Sequence, residues 1–254
     1  MHRYGPDGPP RVLAIHGLTG HGRRWEHLAV NYLPEVSVAA PDLVGHGRSS
    51  YRAPWTIETN AAALAAVVAE NPEPVVVVGH SFGGAIALHL AATYPHLVSG
   101  LVLLDPAVGL DGDWMREIAD SMFESPDYTD RAEAGHEKSS GSWGDVDDTQ
   151  LQAELDEHLV ELPNGRVGWR ISVPAMMSYW SELARPPSLP AAQIHTILVR
   201  ATRTSPAYVT GALLAALQDR LGERFELVDL DCDHMVGQAK PAETAALIRR
   251  LLER

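Results

Sequence analysis

Val75-Val76-Val77-Val78-Gly79-His80-Ser81-Phe82-Gly83-Gly84 is the stretch whose reading decides the fold. Four consecutive β-branched residues with no polar alternation predict a strand buried on both faces of a parallel sheet. The residues from Gly84 to Thr93 are small or helix-forming, and the stretch Phe82–Thr93 reads as a helix. Between strand and helix sits Gly-x-Ser-x-Gly. A turn that sharp forces Ser81 into a strained backbone conformation, with its hydroxyl above the sheet. Gly79 and Gly83 remove the Cβ atoms that would collide as strand and helix close on each other. The pentapeptide alone recurs by chance as an ordinary glycine turn. The strand before it and the helix after it make Ser81 the candidate nucleophile.

Outward from this junction, Val12–His16, Val36–Ala40, Leu101–Leu104, Thr196–Val199 and Phe225–Leu230 read as further strands. Ile57–Glu70, Tyr208–Leu221 and Ala242–Leu252 carry helical patterns. Strands alternating with helices predict an α/β fold, a doubly wound and mostly parallel sheet covered on both faces. The alternation breaks once, between Pro106 and His195. That gap carries helical patches near Trp114–Phe123 and Gln150–Leu162, and a Gly-, Ser- and Asp-rich stretch, Ala134–Asp148, that reads as a mobile loop. The expected organisation is a core of residues 1–107 and 195–254 with a helical cap, 108–194, inserted after the strand ending at Asp105.

At 254 residues and 45% hydrophobic composition the chain suits one decorated α/β domain. No apolar run is long enough to span a bilayer and Met1–Gly5 lacks the apolar segment of a signal peptide, so the expected setting is cytoplasmic, without integral membrane association. The single cysteine, Cys232, excludes an internal disulfide and a cysteine-based metal cluster. A net charge of −13 argues against a nucleic-acid partner. Residues 109–190 hold 17 acids against 6 Lys or Arg, so −11 of that charge lies in the insertion. The excess should disfavour strongly anionic substrates, and serves equally as a solubilising surface.

A nucleophilic serine needs a base, an orienting acid and donors for an oxyanion. His234, in Leu230-Asp231-Cys232-Asp233-His234, follows the last strand and is the candidate base among twelve histidines. The candidate oxyanion donors are the backbone N–H groups of Phe82, just after the serine, and of Leu18, in the loop His16-Gly17-Leu18 after the first clear strand. The acid is less ordinary. No Asp or Glu occurs between Glu182 and Asp219, so the exit Arg200–Ser205 offers no carboxylate. Asp105, at the end of the strand after the serine's own, is the candidate that remains at a strand terminus. Asp111 and Asp113 are the other possibilities, while Asp231 and Asp233 lie too close in sequence to His234 to reach behind its ring.

Together, His16-Gly17, Pro41-Asp42-Leu43-Val44-Gly45-His46-Gly47-Arg48-Ser49, Gly79–Gly84 and Asp233-His234 resemble the α/β-hydrolase superfamily, in its esterase, haloperoxidase-like and C–C hydrolase branches. The resemblance implies a serine hydrolase. A serine rather than an aspartate nucleophile separates the chain from haloalkane dehalogenases and epoxide hydrolases. Most relatives in these branches carry the acid after the strand that here ends in Arg200–Ser205; a minority place it one strand earlier, as Asp105 requires. The short N-terminus leaves at most a stub of the usual leading hairpin near Arg3-Tyr4. In the Pro41–Ser49 turn Asp42 and Arg48 are expected to pair locally, a structural role.

The resulting expectation is a carboxylic ester hydrolase with Ser81, His234 and Asp105 as catalytic residues and Leu18 and Phe82 as oxyanion donors. It needs neither a metal nor an organic cofactor, and acts on a small to medium, neutral and apolar ester. Trp114, Met115, Met122, Phe123, Met176, Met177, Tyr179 and Trp180 are the candidate pocket residues, each also suited to ordinary packing of the cap. The alternatives are a C–C bond hydrolase, a thioesterase or a cofactor-free lyase on the same fold, or a receptor-like homologue that binds a ligand with only residual turnover.

Overall fold

The computed structural model describes every residue from Met1 to Arg254. Its nine strands are β1 (His2–Tyr4), β2 (Val12–Ile15), β3 (Val38–Ala40), β4 (Val75–His80), β5 (Val98–Leu104), β6 (Leu159–Glu161), β7 (Val167–Trp169), β8 (His195–Ala201) and β9 (Phe225–Leu230). Seven form one sheet in the order β1-β3-β2-β4-β5-β8-β9. Only β1 runs antiparallel to its neighbour, pairing His2 with Ala40 and Tyr4 with Val38; it is the stub of hairpin expected near Arg3-Tyr4. The remaining neighbours pair in parallel.

Ten helices accompany the strands: α1 (Glu26–Tyr32), α2 (Ile57–Val68), α3 (Phe82–Thr93), α4 (Gly112–Glu124), α5 (Arg131–Ser140), α6 (Asp148–His158), α7 (Val173–Leu183), α8 (Gly211–Leu221), α9 (Val236–Ala239) and α10 (Pro241–Leu252). The period of two along β4 explains the layering. Val75 and Val77 pack on one face with Leu64 of α2, Ile86 of α3 and Leu217 of α8. Val76 and Val78 pack on the other with Leu28 of α1 and Ile248 of α10. Both faces of the four-valine strand are therefore dry, as its composition requires.

The segment between β5 and β8 holds α4 to α7 and a separate antiparallel ribbon of β6 and β7. Two readings of this segment change. Ala134–Ser140, expected as loop, belongs to α5, because the Asp130 side chain caps the helix by accepting from Glu133 N, while Ala134 packs with Trp143 and Leu151. The helical patch at Gln150–Leu162 stops at His158 and continues as β6.

The strand–helix junction is as close as the glycines suggested. A Cβ on Gly79 would lie 2.4 Å from the Gly83 carbonyl oxygen, and one on Gly83 would lie 2.3 Å from that of Ile15. Backbone cannot yield there as a flexible side chain can. Gly83→Ala is therefore expected to lose about 3 kcal/mol of stability, a Tm drop of roughly 6–12 °C in thermal denaturation. A variant that melts with the wild type would show the contact to be soft.

Candidate active site

Ser81 occupies the left-handed side of backbone space, at φ 55° and ψ −121°, a conformation a non-glycine residue holds only when its surroundings compel it. Two backbone hydrogen bonds do so. Its N–H donates to Leu104 O at 3.0 Å and its carbonyl accepts from Ala107 N at 3.1 Å, stapling the turn to the exit of β5. Asp105, inside that staple, is the other non-glycine residue with positive φ, at 43°. One constraint thus sets both side chains.

His234 sits in the loop between β9 and α9, and its Nδ1–H donates to Asp105 Oδ2 at 2.6 Å. The Asp105 carboxylate is buried, and it also accepts from Ala201 N at 3.2 Å and from Thr204 Oγ1 at 3.4 Å. The exit of β8, which carries no acid of its own, thus supplies donors that hold the acid of β5. Asp231 and Asp233 lie elsewhere: Asp231 pairs with Arg203, and Asp233 N donates to Asp145 at 2.7 Å. Asp111 is spent capping α4.

Two residues that sequence reasoning passed over grip the His234 ring and backbone. Tyr208 stacks on the imidazole with ring centroids 4.1 Å apart, and His80 Nε2–H donates to His234 O at 2.7 Å. His80 lies inside the Gly79–Gly83 motif itself. Tyr208, two residues after a proline, carried no signal of its own.

The loop after β2 lies directly on the serine. A Cβ on Gly17 would stand 2.7 Å from Ser81 Cβ, so only glycine permits this approach. His16 sets the loop from beneath. Its Nε2 accepts from Leu43 N at 3.0 Å, which leaves Nδ1–H to donate to Gly17 O at 2.9 Å; Gly20 N donates to the same carbonyl at 2.9 Å. In a planar trans peptide the N–H points opposite its C=O, so pinning Gly17 O fixes the direction of the Leu18 N–H. Leu18 N has no hydrogen-bond partner within the protein, and Phe82 N, at the first position of α3, has no intrahelical acceptor. Two amides flanking Ser81 are left unspent.

Asp42 anchors the adjoining turn by accepting from Gly22 N at 2.7 Å and Arg48 N at 2.9 Å. Burial pushes its pKa up, but hydrogen bonds from His2, Arg48 and Gly22 outweigh burial and hold it well below the usual carboxylate range. The expected pairing with Arg48 occurs through the backbone; the Arg48 guanidinium instead meets Glu157.

Ser81, His234 and Leu18 open onto one cavity of about 650 Å³. Trp114, Met122 and Trp180 line it, as expected, together with Tyr128, Trp143, Trp169 and Tyr208. Met115, Met176 and Tyr179 are buried in the core instead, Met177 packs against that core, and Phe123 is 73% exposed. Helical periodicity could not say which face of α4 or α7 meets the cavity.

The match to the alpha/beta hydrolase family model over residues 12–247 shows that the chain belongs to that family. The lipase LipV of Mycobacterium tuberculosis (strain ATCC 25618 / H37Rv) is 63% identical over 253 residues, spanning 99% of this chain and 97% of that one. Among solved structures, E-2-(acetamidomethylene)succinate hydrolase superposes with a TM-score of 0.83 at 21% identity, covering 99% of this chain and 94% of the other. An esterase from Mycobacterium tuberculosis does so with a TM-score of 0.72 at 23% identity, covering 98% and 87%. At those identities the two structures speak for the fold alone. The chain is thus an enzyme of the α/β-hydrolase fold, with a relative named as a lipase over nearly its whole length. No helix is long and apolar enough to cross a membrane.

Burial sets the protonation of the histidines around the site. It pushes the pKa of His16 down to about 3 and those of His46, His80 and His158 well below the ordinary value, so all four are neutral in the folded chain. In the unfolded chain each takes up a proton below about pH 6.5. The unfolded state then binds more protons, so folding stability must fall as pH falls through that value. From pH 7 to pH 5.5 each histidine is expected to cost about 1 kcal/mol. A Tm that stays level over this interval would contradict the neutral assignments.

Proposed function

We propose that the enzyme hydrolyses carboxylic esters through Ser81, His234 and Asp105, with the N–H groups of Leu18 and Phe82 as oxyanion donors. The observation that carries this reading is the 2.6 Å bond from His234 Nδ1–H to the buried Asp105 carboxylate, beside a serine held at positive φ in the same cavity. With Nδ1 committed to the acid, Nε2 is the nitrogen free to take the Ser81 proton as Oγ attacks the ester carbon. Asp105 holds the ring in this tautomer and stabilises the imidazolium that forms. The negative charge that develops on the carbonyl oxygen falls to the two unspent amides, pre-aimed by the loop and by α3. The imidazolium returns its proton to the leaving alkoxide, and water repeats the cycle on the acyl-Ser81 ester. Ser81 and His234 line the same cavity, so a substrate that fills it meets both side chains.

The cavity favours a small to medium ester without net charge. Its aromatic wall of Trp114, Trp180 and Tyr208 offers apolar contact, and its charged lining is balanced, with Arg24 and Lys138 against Glu117 and Glu137.

Hydrolysis of p-nitrophenyl esters of graded acyl length tests the reading. The wild type should turn over short to medium chains, and Ser81→Ala should lower kcat by at least about a thousandfold. Asp105→Asn should lower it by more than about a hundredfold, because the ring loses its enforced tautomer. Activity surviving in Ser81→Ala would remove the serine from the chemistry. A loss in Asp105→Asn of only a few-fold would move the acid elsewhere.

A further inference from the structure

One face of α6 reaches across to the loop that carries Leu18. Glu154, Glu157 and His158 stand at i, i+3 and i+4, so they share a face, and all three are buried. His158 Nε2 meets Thr19 O at 2.6 Å. A carbonyl only accepts, so the imidazole donates from Nε2. Glu154 accepts from His21 Nε2 at 2.8 Å and takes both Arg24 Nε, at 3.0 Å, and Nη2, at 2.5 Å. Lys138 of α5 completes the cluster, 2.9 Å from Glu154 and seated over the faces of Trp143 and Trp169. Glu157 takes Arg23 at 3.0 Å and meets Arg48 beside Asp42. Apart from Lys138, every one of these partners lies in residues 19–24 or in the turn packed against them. None lies in the sheet.

The loop is therefore pinned twice, by His16 from the sheet side and by α6 from the inserted segment. His16 fixes the Gly17 carbonyl. Nothing in the sheet hydrogen-bonds the Thr19 carbonyl, whose one partner is His158.

We propose that His158 and Glu154 are positioning residues for the oxyanion hole: α6 holds Thr19 O and the His21 ring so that the Leu18 N–H stays at the distance and angle a tetrahedral oxyanion requires. The proposal rests on the ester-hydrolase reading above. It makes a face of the inserted segment part of the catalytic geometry, although no side chain on it touches the reacting atoms.

The test compares His158→Leu, His158→Gln and Glu154→Gln with the wild type, using p-nitrophenyl butyrate as substrate and an alkylboronic acid as a tetrahedral mimic. Loss of an oxyanion donor outright costs about a hundredfold or more in kcat, so a displaced one should cost about tenfold. His158→Leu is expected to lower kcat by about tenfold with KM changed less than about threefold, and to weaken boronate inhibition by the same factor as kcat. His158→Gln, whose amide can donate to Thr19 O, should recover most of both. Glu154→Gln should show a smaller loss with the same parallel between kcat and boronate affinity.

The proposal is overturned if His158→Leu keeps kcat within twofold, if KM and boronate affinity change together with kcat unaffected, or if glutamine fails to rescue. Unfolding of both His158→Leu and Glu154→Gln overturns it too, since the contacts would then hold the whole fold rather than one loop. A wild type without ester turnover sensitive to Ser81→Ala would instead defeat the underlying reading, and the two failures are told apart by that control.

Discussion

Three backbones meet at Ser81 with no room for a β-carbon between them. The hypothetical Cβ contacts of 2.4 Å from Gly79 to Gly83, 2.3 Å from Gly83 to Ile15 and 2.7 Å from Gly17 to Ser81 describe one crossing point of β4, α3 and the end of β2 with the loop that follows it. Everything else in the site is hung from it. The crossing drives Ser81 to positive φ, and the hydrogen bonds from Ser81 N to Leu104 O and from Ala107 N to Ser81 O carry the constraint into the end of β5. Backbone strain of this kind costs on the order of 1–3 kcal/mol per residue and lasts only where neighbours over-determine it. Here those neighbours are central parallel strands with no exposed face, Val75–Val78 and Leu101–Leu104.

Three buried imidazoles hold backbone around the site. His16, His80 and His158 each use one N–H to hold a backbone carbonyl, of Gly17, His234 and Thr19 respectively. Each must stay neutral, because a second proton would be stranded in a dry interior. Loops that carry function have few backbone partners of their own and need side chains to fix them. A neutral histidine suits that task, being rigid, long enough to span a layer and equipped with one donor.

How much of this was legible in the sequence depended on how local the cause was. The four valines, the glycines and Ser81 are causes contained in ten residues, and the strand, turn and helix appear where composition puts them. The pairing of Asp105 with His234 spans 129 positions, yet elimination reached it, because the run without acids between Glu182 and Asp219 left few candidates. What elimination could not see is that Ala201 and Thr204, in that acid-free exit, would donate to the Asp105 carboxylate. The helix α5 was hidden behind Gly135, Ser139 and Ser140, since tertiary packing of Ala134 outweighed weak helix propensity. The acid excess of residues 109–190 misled in part. Most of it is exposed, but Glu154 and Glu157 are buried counter-ions for Arg23, Arg24 and Lys138, and neither charge counting nor periodicity distinguishes the two.

The cluster around Glu154 is hard to justify by stability. Desolvating a carboxylate, a guanidinium and an ammonium together costs about as much as their attraction returns, and apolar side chains of like volume commonly serve a fold as well or better. Burial drags the Lys138 ammonium down to a pKa of about 8, a direct sign of that desolvation. Apolar packing, however, has no direction, whereas Glu154 holds Nε2 of His21, two nitrogens of Arg24 and Nζ of Lys138 at hydrogen-bond distance. Directional bonds are needed where a backbone segment must be held to a fraction of an ångström. Residues 17–24 form such a segment, with Gly17 against Ser81 and an unpaired amide at Leu18. The cost of the buried charges therefore falls where geometry, rather than cohesion, limits what the site can do.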